Sequence, residues 1–179
     1  MQETFHAAAI WLHILGIALF VGPQFFLAFA WAPASRGIED MQVRLKAMRT
    51  ITRRFGYVGG AGLLCILVAG LYLVFSWKSY YAIAGDVGFY DVRFGLVFTI
   101  KMGILAIMLS VLGIHTFIVG PRLMDRLEAQ ANGENVSEEE VSAVRRRSMT
   151  LSITGLALTL VIMALGAMLN TYRFSLREL

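Results

Sequence analysis

Three side chains sit where an apolar surrounding would force them to find a partner. His6 and His13 lie in the uncharged stretch FHAAAIWLHILGIALFVGPQFFLAFAWA, and Lys101 lies in FGLVFTIKMGILAIMLSVLGIHTFIVG. A neutral imidazole carries one N–H and one lone pair, and hydrocarbon offers water to neither, so the ring turns to a bundle interior, a ligand or a metal. His6 and His13 are two helical turns apart and therefore share a helix face. The Lys101 ammonium either meets an anion or snorkels, because it lies about two turns from the outer end of its run and its stem can reach the headgroups. Met163 and Met168, in the last apolar run, add thioethers, which suit haem iron or copper.

The elements that must hold these residues are membrane helices. The chain has 179 residues, of which 58% are hydrophobic and 16% charged, and its mean hydropathy is +0.67, too apolar for a water-soluble domain of this size. Four runs are each long enough to cross a bilayer, over about residues 5–32, 56–77, 94–120 and 149–172. The fold class expected is an all-α, integral-membrane four-helix bundle forming a single domain over residues 1–179. Arg36, Arg44, Lys46, Arg49, Arg53 and Arg54 fall between the first two runs, and Arg122, Arg126 and Arg145 to Arg147 between the last two. Both connections are then cytoplasmic, and both termini lie outside, in the periplasm of a bacterium whose inner membrane the protein would span several times. Ala30-Trp31-Ala32 resembles a signal cleavage box, but Met1 to Thr4 carries no Lys or Arg and the run is too long, so the N-terminus reads as mature helix.

The net charge of +4 is confined to loops, which points to anionic lipid and gives no basis for nucleic-acid binding. Cys65, the single cysteine, forms neither a disulfide nor a thiolate metal site alone. Met41, Leu45, Met48, Thr52 and Phe55 recur at helical spacing and predict an amphipathic helix on the membrane surface running into the second span. Asn132-Gly133 ends a polar helix, and Ser137 with Glu140 has the spacing of a capping box that starts the fourth helix before the bilayer. The glycines Gly56, Gly59, Gly60, Gly62 and Gly70 of the second span permit close approach of a neighbouring helix.

At about 1.5 Å per residue, His13, Met163 and Lys101 fall about 12, 12 and 10 Å below the outer surface, whereas His115 falls about 30 Å down. A haem bridged by His13 and His115 is excluded by that separation. His115, near the cytoplasmic end, needs no special role.

Leu12-His13, the small-residue stretch after it, Phe20, Gly22 and Phe25-Phe26 resemble the first helix of the membrane proteins grouped with the CopD copper-resistance domain and the HemJ-type protoporphyrinogen oxidases. Lys101 and the basic Arg53-Arg54-Phe55 entry to the second span match as well. The resemblance implies a four-helix protein binding haem b, with His13 and Lys101 as the functional pair. His13 would be an axial ligand, Lys101 would orient a carboxylate of haem or porphyrinogen, and Met163 would be a second ligand. As an oxidoreductase, such a protein would pass electrons from protoporphyrinogen IX through haem to a quinone or an electron-transfer partner. The CopD side implies copper handling instead, with His6 and His13 as metal ligands together with Met163 or Met168. A third reading is a non-catalytic accessory subunit of a larger membrane complex, or a homo-oligomer, using the small residues of the second and fourth spans as contact faces.

Overall fold

The computed structural model describes residues 2–81, 83 and 85–177. Those residues are almost wholly helical, and four of the helices are long and apolar enough to cross a membrane. Large apolar side chains face outward along them, with Phe75 and Phe117 each 81% exposed. Water would not tolerate that surface, and lipid would. The chain is a multi-pass membrane protein of the all-α class.

Two compact units divide it, residues Met1–Ile83 and Ala84–Leu179. Each is a helical hairpin. In the first, α1 (Gln2–Phe25) runs through Pro23, opens into a π-helical turn over Phe26–Trp31 and ends in Ala32–Ala34 and a 3-10 turn, Ser35–Gly37. The return helix α2 spans Met41–Phe75 without a break. Its start is fixed by Asp40, whose Oδ1 accepts from the backbone N–H groups of Gln42 (2.8 Å) and Val43 (3.1 Å), two donors the first helical turn leaves unpaired.

The expected amphipathic helix is therefore the first third of α2 itself. It continues the axis of the second span, because the helix is uninterrupted, and α1 with the turn after it pairs with that helix from the Ser76 end as far as Phe55. His6 meets Ser76 at one end, Phe26 packs edge-on against Phe55 toward the other, and Trp31 reaches the Lys46 region beyond. Leu45, only 2% exposed, is the apolar anchor of that segment.

The pairing is tightest at one crossing. A Cβ placed on Gly16 would stand 2.7 Å from the Gly62 carbonyl oxygen and 2.9 Å from the Ile66 amide nitrogen. A Cβ on Gly62 would stand 2.8 Å from both the Gly16 carbonyl oxygen and the Phe20 amide nitrogen. Two backbones touch there, and only glycine on both sides allows it.

In the second hairpin, α3 (Arg93–Ile114) opens into a π-helical turn, His115–Val119, and continues as Gly120–Ala131. Gly133, at φ 77°, takes the left-handed conformation that ends this helix. Ser137 then caps α4 (Glu138–Leu169), its Oγ accepting from the Glu140 N–H at 3.2 Å, as the sequence spacing indicated. An ion pair, Arg126 to Glu140 at 2.9 Å, joins the polar extension of α3 to the start of α4. The loop before α3 folds onto its own hairpin, with Phe89 packed edge-on against Phe94 and Phe98.

The two hairpins follow one plan, a regularity the sequence reading did not extract. His13 precedes Pro33, and Lys101 precedes Pro121, at the same separation. Each π-helical turn ends two residues before that proline, where the missing proline N–H leaves a carbonyl of the preceding turn without its usual partner. Gly59 and Gly70 of α2 recur as Gly155 and Gly166 of α4 at an unchanged interval.

Gly16→Ala or Gly62→Ala should lower stability in detergent by about 1–3 kcal/mol, the range for overpacking a close contact. Gly60→Ala should be neutral or stabilising, since a Cβ there meets nothing within 4 Å. Thermal unfolding of the purified variants measures the contrast.

Candidate functional site

The Gly16–Gly62 crossing puts the next turns of α1 and α2 side by side, and His13 fills that seam. Its Nδ1 lies 3.1 Å from the Ile66 carbonyl oxygen. A carbonyl only accepts, so Nδ1 carries the proton and donates it, and Nε2 is the lone-pair nitrogen of the ring. The ring rests on Gly70, where a Cβ would stand 3.3 Å from Cε1 and 3.5 Å from Nδ1. Tautomer and orientation are thus set by the backbone of α2. A histidine whose Nδ1–H is held by a carbonyl has the arrangement typical of a metal-ligating imidazole, because the hydrogen bond fixes the ring and raises its basicity.

His6, two turns earlier on the same face, has a different setting. Its ring stacks on Tyr80 at 4.2 Å between centroids, tilted by only 16°. Ser76 Oγ, whose own proton goes to the Tyr72 carbonyl at 2.9 Å, lies 3.4 Å from His6 Nδ1 and accepts from it. His6 is a wall of an aromatic end-cap that includes Tyr72. Among the described residues, no group of three or more His, Cys, Asp and Glu side chains converges to hold a metal.

Lys101 is half-buried in the second hairpin, with its ammonium resting over Gly166 of α4: a Cβ on Gly166 would stand 3.4 Å from Nζ. Neither a carboxylate nor a hydrogen-bond acceptor of the described residues pairs with it. Met163 and Met168 are 40% and 39% exposed, on the outward side of α4. His13 and Lys101 therefore occupy matching seats in their own hairpins, each a polar group on the descending helix pressed onto a glycine of the return helix.

His115 is drawn into a clasp. Its Nε2 lies 3.1 Å from Ser148 Oγ and 3.0 Å from Ser152 Oγ. Ser152 Oγ also lies 2.9 Å from the Ser148 carbonyl, and the cluster spends the outer ring nitrogen of His115 on helix pairing.

Gly70 stood among the glycines read as permitting close approach, but its pairing with His13, the Gly166 seat, the Ile66 carbonyl and the serine pair were not singled out from sequence. The repeated glycine interval in α2 and α4 was the available signal for the seats. A carbonyl acceptor leaves no trace in residue type. Comparison with protein-family models, curated proteins and solved structures gives no match.

Replacing Ser148 and Ser152 together by Ala should destabilise the protein by roughly 1–2 kcal/mol, because His115 Nε2 loses both hydroxyl partners in a low-dielectric setting. Adding His115→Leu to that double variant should restore most of the loss. Unfolding midpoints for the double variant, the triple variant and His115→Leu alone give the coupling.

Proposed function

We propose that the protein is a b-type haem-binding redox protein of a bacterial inner membrane, with both termini on the periplasmic side, and that His13 would hold the haem iron. The observation that carries this reading is the Nδ1–H bond from His13 to the Ile66 carbonyl, which puts the imidazole in the ligand tautomer and holds its direction. Gly70 supports it by leaving room for the ring. When bound, the haem supplies one-electron redox chemistry. The chain contributes a fixed imidazole, an apolar surround that excludes water, and a cation.

That cation is Lys101. Its seat over Gly166 gives the ammonium a position without a counter-ion among the described residues, which suits a carboxylate brought by haem or by a porphyrinogen substrate. In this reading, as the resemblance to the HemJ type implies, a bound haem would supply the one-electron chemistry for oxidising protoporphyrinogen IX, with a quinone or a partner protein as acceptor, and the chain would contribute His13 to hold it and Lys101 to meet a carboxylate.

A reduced-minus-oxidised spectrum of protein purified in mild detergent from a haem-replete host should show the Soret and alpha bands of haem b. His13→Ala should abolish them, and Gly70→Val, which crowds the ring, should weaken haem retention by about tenfold. Lys101→Met should cut porphyrinogen oxidation while leaving the fold intact, and Lys101→Arg should rescue it only in part, since a planar fork does not replace a compact ammonium. A Lys101→Met protein with normal haem content and normal turnover would refute the role given to Lys101, and wild-type protein without haem bands would refute the whole reading.

A further inference from the structure

The first hairpin has one feature that the redox reading leaves unused, a cleft where the two helices diverge at their basic end. It is an open, shallow cleft of about 400 Å³, lined by Trp31, Val43, Lys46, Ala47, Thr50 and Ile51. The π-helical turn Phe26–Trp31 and the turns after it carry the end of α1 away from α2, while α2 continues straight past it. Val43, Ala47 and Ile51 give the wall from α2 an apolar surface, and Lys46 stands on the same helix one turn from Thr50. The Thr50 hydroxyl is turned back on the Lys46 carbonyl at 2.9 Å, so the ammonium is the polar group that the cleft presents to an anion. Trp31 forms the opposite wall, and its Nε1–H is buried with no hydrogen-bond partner among the described residues.

We infer that this cleft is a binding site for an anionic membrane phospholipid, with an acyl chain against Val43, Ala47 and Ile51 and the headgroup phosphate at Lys46. Three observations select that occupant. The cleft opens on the outside of a membrane hairpin, where lipid is the surrounding solvent. It lies at the end that carries Arg44, Arg49, Arg53 and Arg54, where anionic headgroups concentrate. Its walls pair a single cation with hydrocarbon and an indole, the combination found at a headgroup boundary. A small turn of the Trp31 ring would also offer its N–H to an ester oxygen of the lipid. The corresponding place in the second hairpin is occupied by Val119 and Ser142 and is crossed nearby by the Arg126–Glu140 ion pair. The site belongs to the first hairpin alone.

The test uses Trp31 as the reporter. The chain has three tryptophans, so Trp11→Phe plus Trp77→Phe leaves Trp31 as the single fluorophore. That protein is reconstituted into mixed phosphatidylcholine and phosphatidylglycerol vesicles in which one or the other lipid carries bromines along its acyl chains, and quenching is followed as the brominated fraction rises. Brominated phosphatidylglycerol should quench at about fivefold lower mole fraction than brominated phosphatidylcholine, the preference one near-surface cation provides. Lys46→Gln should erase the preference, Ala47→Phe should block quenching by filling the cleft without adding a tryptophan, and Arg54→Gln should change neither. Equal quenching by the two lipids overturns the proposal. So does a preference that survives Lys46→Gln, or one lost in Arg54→Gln, since either assigns the effect to the general basic surface. Because Lys46 and the cleft are remote from His13, haem content in Lys46→Gln stays normal whichever way the lipid result falls, and the two readings fail separately.

Discussion

The contact between the backbones of Gly16 and Gly62 governs the first hairpin. In a membrane there is no gain from hiding one apolar helix against another, since lipid solvates both equally well. What favours pairing is the close fit of backbone on backbone and the polar bonds that such a fit brings within reach. With any side chain at either position the helices would stand further apart. The Ile66 carbonyl would then leave hydrogen-bond distance of His13, and the imidazole would lose both its proton acceptor and its orientation. The ligand-like state of His13 is thus a consequence of two absent methyl groups one turn away.

Polar groups in the two hairpins illustrate opposite solutions to one problem. His13 and His115 are neutral rings, and each is satisfied by its neighbouring helix, one through a main-chain oxygen and the other through hydroxyls. Lys101 has no such relief within the described residues. A glycine makes space for its ammonium but supplies no acceptor, so the position is energetically unfinished in a way the histidine positions are not. That difference is why Lys101 is assigned to recognition and His115 to architecture.

Much of the fold was readable in the sequence because hydrophobic run length is a one-dimensional property. The four spans, the Asn132-Gly133 break and the Ser137 cap all rest on residue types within a few positions of each other. The helix ends were harder. The helix over Met41–Phe55 running into the second span and the polar helix ending at Asn132-Gly133 were read from spacing and breaker residues, but that each continues its span as one long helix depends on pairing with a partner helix, which a polar surface pattern does not reveal. Asp40, the cap of α2, stood unnoticed beside Glu39 and a basic stretch. For the site, the histidines and the lysine were conspicuous by type. What they touch was hidden, because a carbonyl oxygen or a missing Cβ belongs to the backbone of a residue far away in sequence. The π-helical turns had a visible cause in Pro33 and Pro121, yet proline in a helix equally suggests a kink or an end.

The division into two self-contained hairpins bears on the order in which the protein is made. Within the first unit, Ile66, which pairs with His13, and both sides of the glycine crossing lie before Ile83, so these contacts can form once that length has left the ribosome. Neighbouring helices joined by a short turn make this an association of local segments, the fast kind of folding. The membrane therefore receives a first hairpin able to close its polar interior before the next charged residue to be buried, Lys101, has been synthesised. The imidazole is never left to face lipid alone while the second half is still being translated.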